Sequence, residues 1–171
     1  GADSDGIIAK INNLGTVTNV IYSGYVTSLT ASRFSGGCYI YQPSKNKITR
    51  LNENLQEISS IYTGGTVSIT TLIIASNSDL ILLGDAAVGG KIGLMNVAPD
   101  AYTYFSARLS SGGSPVWYNP INVSGEAYLG DISTTASGSR IYITGGFNGK
   151  LRINNGTINS IGAMDLFIWK Y

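Results

Sequence analysis

Short runs of alternating apolar and polar residues, separated by turn residues, dominate the chain. Thr16 to Tyr22 and Ile141 to Gly145 are two such runs, and both are rich in β-branched and aromatic residues. The first of them follows a turn sequence, Asn13-Leu14-Gly15. Sustained helical spacing of apolar residues is absent. The pattern therefore predicts an all-β protein with many short strands and little or no helix.

The strand pattern repeats along the chain. A shift of 40 residues aligns Ile11 with Leu51 and Tyr22 with Tyr62, and a third, looser copy follows. Such a period indicates a repeat architecture, and each copy holds four candidate strands. We expect one repeat domain over residues 1–171. Its expected divisions are repeats at about 5–44, 45–100 and 101–164, and an extra strand at 165–171.

The core of each repeat has nearly the same length, but the segments that follow the cores differ in length. The first repeat lacks about 17 residues that the others carry at 85–101 and 147–163. Both segments are rich in glycine and asparagine, so each is either an extra hairpin or a surface loop. Variable insertions of this kind often form the binding face of a repeat protein.

Residues 165–171, Asp-Leu-Phe-Ile-Trp-Lys-Tyr, repeat the pattern of residues 5–11. An unpaired strand of this composition would promote aggregation, so we expect it to be paired. One alternative is pairing with Ile7 to Ile11 in the chain's own sheet, and the other is donation to a partner. The side chains expected at an exchanged strand are Leu166, Phe167, Ile168 and Trp169.

Residues 105–117, 138–147 and 162–170 carry a family resemblance. They resemble the bacterial β-propeller repeat called SBBP, in which an Asp-x-Phe-Val-Ala-Lys-Leu strand precedes a Ser-Gly turn, a Trp-ended strand and a Gly-Asn-x-Tyr-x-Thr-Gly strand. Residues 100–171 match well and residues 1–100 loosely, with departures at Lys47 and Trp169. The resemblance implies a β-propeller-like array of four-stranded antiparallel blades. It also implies a secreted or surface protein and assigns no activity to the repeat.

Three repeats and one strand are fewer than the four to eight blades of ordinary propellers. Each blade buries its apolar faces against two neighbours, so additional blades are expected. They belong to a longer chain of which this is a fragment, or to other copies in a homo-oligomer. The sequence has no initiator methionine and no signal peptide, which favours a processed product or a fragment.

The composition of the chain limits the classes of partner that are expected. Charged residues make up 12% of the chain and the net charge is +1, so the basic surface of a nucleic-acid binder is not expected. No apolar run approaches the roughly 20 residues of a membrane span. We expect an extracellular, cell-surface or virion location. The single cysteine, Cys38, lies in a strand pattern and is expected to be a buried thiol.

The residue types in the sequence give little support for a catalytic function. The chain has no histidine, which excludes Ser-His-Asp and Cys-His arrangements and imidazole metal sites. We therefore expect no enzyme, no metal and no cofactor. A carboxylate pair could hydrolyse glycosides, but separate structural carboxylates are favoured. The acids considered for such a pair are Asp79, Asp85, Asp100, Glu126 and Asp131.

Aromatic side chains are the candidate ligand-binding residues. Tyr22, Tyr62 and, if a short deletion is allowed, Trp117 fall at equivalent positions near strand ends, with Tyr118 and Tyr25 close by. Such rings can stack on sugars, and the alternative is that they pack between blades. The favoured function is a recognition or adhesion module that binds a glycan or a surface protein through blade loops. The alternative is a self-assembling subunit of a filament, sheath or surface layer that exchanges its C-terminal strand.

Overall fold

The computed structural model describes residues 6–32, 36–98, 100–135 and 140–171, and strands dominate the secondary structure of this part of the chain. Pro43–Lys45 forms a short 3-10 turn. Across the described ranges, no helix has the length and apolar character needed to cross a membrane. The strands are β1 (Ile7–Ile11), β2 (Val17–Tyr22), β3 (Ser28–Ala31), β4 (Cys38–Gln42), β5 (Lys47–Leu51), β6 (Glu57–Gly64), β7 (Val67–Ile74), β8 (Leu80–Ala86), β9 (Gly90–Ile92), β10 (Met95–Ala98), β11 (Thr103–Leu109), β12 (Pro115–Val123), β13 (Ala127–Thr134), β14 (Ile141–Phe147), β15 (Lys150–Ile153), β16 (Gly156–Asn159) and β17 (Asp165–Lys170).

These strands form four antiparallel sheets in chain order. Sheet I contains β1 and β2, and sheet II has the order β10-β9-β6-β5-β4-β3. Sheet III has the order β16-β15-β12-β11-β8-β7, and sheet IV has the order β13-β14-β17. The all-β prediction and the prediction of short antiparallel strands are both confirmed. Of the residues used in the repeat comparison, Asp5, Gly138 and Ser139 lie outside the described ranges.

The sheets are offset from the sequence repeats by two strands. Sheet II takes β3 and β4 from the first repeat and β5 and β6 from the second, with β4 paired to β5. Sheet III joins β7 and β8 to β11 and β12 in the same way. Each repeat therefore contributes its first two core strands to one sheet and its last two to the next. The four-stranded blade is confirmed as the common core of sheets II and III.

The extra segments of the second and third repeats are hairpins. β9 and β10 pair with each other, and β9 also pairs with β6, with Thr63 opposite Ile92. Likewise β15 pairs with β12, with Ile121 opposite Ile153, and β16 completes the hairpin. Each hairpin therefore extends the outer edge of the preceding sheet to six strands. In the described structure, the first repeat places no such hairpin on the outer edge of β2.

The sheets pack face to face through three apolar clusters. Ile8 of sheet I packs with Ile40 and Leu51 of sheet II. Sheets II and III meet through a cluster that includes Ile48 and Phe105. Sheets III and IV meet through a third cluster, which includes Ile81, Leu83, Ile143 and Phe167. The result is a β-propeller-like array in which each inner sheet is covered on both faces.

We call the face of a sheet that packs on the next sheet its leading face, and the opposite face its trailing face. Alternation of side chains sends neighbouring residues of a strand to opposite faces. Ile48 of β5 lies on the leading face of sheet II, whereas Leu51 lies on its trailing face. Leu80 to Leu83 of β8 are buried without interruption because sheet III is covered on both faces.

The turns after β1, β5 and β11 share the same chemistry, and we call each a third-strand turn because β5 and β11 are the third strands of their blades. The Asn12 side-chain oxygen accepts hydrogen bonds from two backbone N–H groups of its turn, and Asn52 does the same. The Ser110 hydroxyl accepts the N–H of Ser114. The last turn position has a positive φ in all three copies: Gly15 at 77°, Leu55 at 59° and Gly113 at 84°.

The strand at 165–171 is paired within the chain's own sheet. β17 pairs with β14, with Thr144 opposite Ile168 and Gly145 opposite Phe167. The expected pairing with Ile7 to Ile11 is not what the structure has, because β1 pairs with β2. Apolar contacts explain the observed choice: Phe167 is buried beside Phe147, with ring centroids 6.2 Å apart. β17 is thus the third strand of sheet IV.

Candidate functional site

Tyr22 and Tyr62 occupy equivalent positions near the ends of β2 and β6, which we call the rim. The hairpin β9–β10 lies along the outer edge of β6, whereas β2 is itself an edge strand. Tyr22 ends β2 and lies opposite Ile7, and Tyr62 lies opposite Lys47 near the end of β6. Ile7 lies three positions before Lys10 in β1, and Lys47 lies three positions before Arg50 in β5. The two rings are 77% and 65% exposed. The sequence prediction that these tyrosines are equivalent is confirmed by the strand register.

A loop with defined contacts holds Tyr22 in place. The Ser23 carbonyl accepts hydrogen bonds from the Gln42 side-chain amide and, at 3.1 Å, from the Lys45 ammonium group. Ser23 itself is buried although its neighbours are open to solvent. Tyr25 in the same loop is 52% exposed. The rim of sheet I therefore presents two tyrosine rings on a backbone fixed by sheet II.

Trp117 is not equivalent to these tyrosines. It lies opposite Arg108, as Asn19 lies opposite Lys10, so it is displaced by three positions from the tyrosine position, where Pro120 stands. Trp117 is half-buried and packs against Tyr171, with ring centroids 5.0 Å apart. The distance of an aromatic residue from the basic residue determines its register position, and residue type alone does not show that distance.

Tyr118 also makes structural contacts. Its hydroxyl donates a hydrogen bond of 2.7 Å to the Val97 carbonyl, and its ring lies 6.4 Å from that of Phe105. Burial raises the pKa of the Tyr118 phenol. The hydroxyl ties β12 to the hairpin strand β10. Tyr22, Tyr25 and Tyr62 are thus exposed to solvent, whereas Trp117 and Tyr118 pack between elements.

The four side chains expected at an exchanged strand divide between the two faces of β17. Phe167 is buried and Trp169 is half-buried in the cluster shared with sheet III. Leu166 and Ile168 are 79% and 75% exposed on the opposite face. Alternation alone produces this division. Beyond its pairing with β14, β17 has no other strand along its edge among the described residues.

The five acids considered for a carboxylate pair lie in different environments. Asp79 is buried and receives a 2.8 Å hydrogen bond from the Arg108 guanidinium and another from Asn77. Partial burial, and then its hydrogen bond with Asp85, raise the pKa of Tyr102. Asp100, Glu126 and Asp131 are exposed. Groups of three or more metal-ligating side chains are absent from the described ranges.

Two of the repeated basic residues, Lys10 and Arg50, lie beside the next sheet. Lys10 Nζ donates a hydrogen bond of 2.8 Å to the Glu53 carbonyl in a turn of sheet II. Arg50 stacks over the Tyr39 ring at 5.8 Å and lines a cleft of about 40 Å³ together with Ser111 and Gly112 of sheet III. Such a cleft is far smaller than ligand pockets of roughly 300–1,000 Å³. The spacing of a basic residue followed by an apolar one at Lys10 and Arg50 predicts the repeat but not the contact of these side chains with the next sheet.

Comparisons with known proteins concern the fold. No protein-family model matches the chain, and none of the curated proteins does. The hydrazine synthase of Kuenenia stuttgartiensis is similar at 12% identity over 91% of this chain, with a TM-score of 0.44. The β-propeller domain of Cps50 (Swd1) from Myceliophteria thermophila is similar at 9% identity over 98% of this chain, with a TM-score of 0.47. The chain spans 57% and 65% of the length of those two chains, and neither likeness extends to function.

Proposed function

We propose that this chain is a non-catalytic recognition or adhesion module that binds a glycan through the exposed tyrosines near the ends of β2 and β6. The supporting observation is that Tyr22 and Tyr62 recur at one register position on neighbouring sheets, with most of each ring in solvent. Large aromatic side chains that serve only packing are mostly covered. Two open rings in a repeated position suit a ligand that is itself repetitive.

The chemistry of the rim favours a sugar polymer. A tyrosine ring offers a flat apolar face to the C–H groups of a sugar, and its hydroxyl offers a hydrogen bond. Stacked sheets lie about 10 Å apart, so the two rings are within reach of neighbouring units of one chain. Tyr25 adds a third ring on the same loop as Tyr22. A surface protein is the alternative ligand and would use the same rim.

Three further expectations belong to this proposal. The location is extracellular, on a cell surface or on a virion, which fits the resemblance of residues 100–171 to the SBBP repeat. Absence of catalysis rests on the lack of histidine and on the engagement of Asp79 by Arg108. The SBBP relationship itself rests on the sequence resemblance of residues 100–171.

Glycan binding tests the proposal directly. The purified chain is screened on immobilised glycans, and hits are measured by calorimetry with Tyr22→Ala, Tyr62→Ala and the double variant. We expect each single change to weaken binding roughly two- to tenfold, because an aromatic stacking contact contributes about 0.5–1.5 kcal/mol. Ile161→Ala is the matched control, since Ile161 is fully exposed between β16 and β17, in the segment that joins sheets III and IV. Failure to bind any glycan, or equal binding by the double variant, would contradict the proposal.

A second candidate function is a self-assembling structural subunit that exchanges its C-terminal strand. It is favoured by the free edge of β17 and by the exposure of Leu166 and Ile168. The solution mass of the chain, with and without residues 165–171, tests it by light scattering. Loss of a defined oligomer on truncation supports exchange. Because Phe167 also belongs to the core, the truncated chain must keep its β-sheet circular dichroism for that result to count.

A further inference from the structure

The interface between sheets II and III shows which residues a completed contact covers. On the leading face of sheet II, Tyr39 lies opposite Arg50, and Tyr41 lies opposite Ile48. Tyr39, Tyr41 and Ile48 are buried against sheet III. On the trailing face of sheet III, the alternate residues Phe105, Ala107 and Leu109 of β11 are fully buried by the same contact.

The leading face of sheet IV carries the equivalent residues without a sheet to cover them. Tyr142 lies opposite Lys170, and Thr144 lies opposite Ile168, which is the register of β4 with β5. Ile143 and Phe167 point the other way, into the contact with sheet III. Ile168 is 75% exposed, whereas its counterpart Ile48 is 1% exposed. This end of the array therefore presents half of an internal interface.

The trailing face of sheet I carries the other half. Ile7, Ala9 and Ile11 occupy the positions of Phe105, Ala107 and Leu109, because Lys10 corresponds to Arg108 and a register shift follows both basic residues. Ile7 is 61% and Ile11 is 60% exposed. Ile8 points to the opposite face and packs on sheet II. In each contact between neighbouring sheets, the leading face of one sheet packs on the trailing face of the next. The leading face of sheet IV and the trailing face of sheet I are left open.

We propose that copies of this chain associate head to tail, with the leading face of sheet IV in one copy packed on the trailing face of sheet I in the next. The occupant is a second copy because the chain itself supplies both halves of a contact that it already forms internally. Ile168 then packs against Ile7 and Ile11. β17 stays paired with β14, so no strand is exchanged, and the contact does not rest on glycan binding.

A polar contact completes the docking. Lys10 of sheet I donates to the Glu53 carbonyl in the third-strand turn of sheet II. Lys170 occupies the position of Lys10 in sheet IV, and Asn13 occupies the position of Glu53 in the turn of sheet I. The Lys170 ammonium group of one copy accordingly donates to the Asn13 carbonyl of the next. Such a contact is heterologous, and it generates a ring or a filament.

Mixing of two blocked variants tests the proposal. Ile168→Glu blocks the sheet IV face and Ile11→Glu blocks the sheet I face, while each variant keeps the other face intact. Sedimentation velocity should show the unmodified chain as an oligomer, each variant as a monomer, and their equimolar mixture as a 1:1 dimer. We expect either change to weaken the contact about 30-fold or more, as at a central interface residue. Leu94→Glu is the matched control and should assemble normally.

Several results would overturn the proposal. A monomeric unmodified chain, assembly that survives both changes, or a mixture that remains monomeric each rejects it. Both substituted side chains are largely exposed, so circular dichroism should match the unmodified chain; Val20→Glu replaces Ile11→Glu if that variant does not fold. An excess of a peptide covering residues 164–171 should leave the oligomer intact. Disruption by that peptide would reject docking in favour of strand exchange.

Discussion

Cys38 illustrates how a strand position controls the chemistry of a single residue. It begins β4 and is buried against sheet I, and burial raises the pKa of its thiol. A raised pKa lowers the thiolate fraction about tenfold for each unit, and the thiolate is the reactive form. The sequence prediction of a buried thiol is confirmed. The residue is structural in the folded protein.

Alkylation kinetics should reveal this environment. At pH 8 we expect iodoacetamide to react with Cys38 more than about tenfold more slowly in the native chain than in the chain unfolded by urea. Because the thiol pKa is raised, the native rate should keep rising with pH beyond the range in which the unfolded rate levels off. Equal rates in the two states would show that the thiol is accessible in the folded protein.

Tyr41 connects two sheets through a single hydroxyl. It is buried in β4 and donates a hydrogen bond of 2.6 Å to the carbonyl of Val67, the first residue of β7. Tyr104 donates in the same way at 2.8 Å to Ala127, the first residue of β13. Each bond joins a sheet to the innermost strand of the next, so these hydroxyls help fix how successive sheets pack.

Replacement of Tyr41 by phenylalanine should therefore destabilise the fold. We expect Tyr41→Phe to lower the free energy of unfolding by about 1–3 kcal/mol, because the buried Val67 carbonyl loses its donor. Urea denaturation provides the measurement. Tyr62→Phe is the control, since Tyr62 is exposed, and it should change stability by less than about 0.5 kcal/mol. Similar small changes in both variants would contradict the importance of this bond.

At the scale of single elements, the third-strand turn shows how one backbone conformation accepts different residues. Gly15, Leu55 and Gly113 all have positive φ. Leu55 is 8% exposed and packs with Ile8 and Ile40, so burial of its side chain offsets an unfavourable backbone. At Gly113, a Cβ atom would lie 3.0 Å from Ile61 Cγ1, whereas nothing lies within 4 Å at Gly15.

This difference predicts unequal effects of one substitution. Gly15→Ala should cost roughly 1–2 kcal/mol of stability, which is the penalty of a left-handed residue with a side chain. Gly113→Ala should cost more, because Ile61 must also move. Urea unfolding of the two variants measures the comparison, and each variant controls for the backbone term in the other. Equal losses of stability in the two variants would mean that the Ile61 side chain moves aside without lowering the free energy of unfolding.

The positions of the strands were largely predictable from the sequence, whereas the pairing between strands was not. Alternation and turn residues locate strands such as β2 and β14, and the shift that aligns Ile11 with Leu51 identifies the repeat. Pairing across the repeat boundary was not predictable, because local alternation carries no information about strand order. Trp117 was misplaced for a related reason: register depends on its distance from Arg108, which residue type does not reveal.

Which surfaces are exposed was likewise not predictable from the sequence alone. Ile143 and Ile168 are both apolar strand residues, yet one is 1% and the other 75% exposed. Alternation says that successive residues face opposite sides, but not which side is covered. The equivalence of Tyr22 and Tyr62 was predictable from their repetition, but their exposure was not. The uncovered faces of sheets I and IV became visible only when the number and order of sheets were known.

At the scale of the whole molecule, the sheets differ in how well they are protected. β8 and β11 of sheet III lie between covered faces, and Leu80, Leu82 and Phe105 are at most 1% exposed. Sheet I has two strands and contributes Ile8, with Ile21 partly buried, to the cluster it shares with sheet II. In repeat arrays, stability is close to a sum over units and their contacts. The end sheets should therefore open first.

Hydrogen exchange should follow this order. We expect amide protons of β8 and β11 to exchange at the slowest rates, through global unfolding, and those of β1 and β2 to exchange through local opening. Mass spectrometry or NMR of the native chain measures the rates. At protein concentrations that populate head-to-tail contacts, protection of β1 and β17 should increase while β8 stays unchanged. Uniform protection across all sheets would contradict the additive description.

The two-strand offset between repeats and sheets has a consequence for backbone continuity. Because β4 and β5 are neighbours in sheet II, the peptide link at Pro43–Lys45 joins strands that hydrogen bonds already hold together. A chain cut there keeps each fragment bound to the other along a full ladder. Residues 1–44 and 45–171, expressed separately, should therefore reconstitute the array without a covalent link.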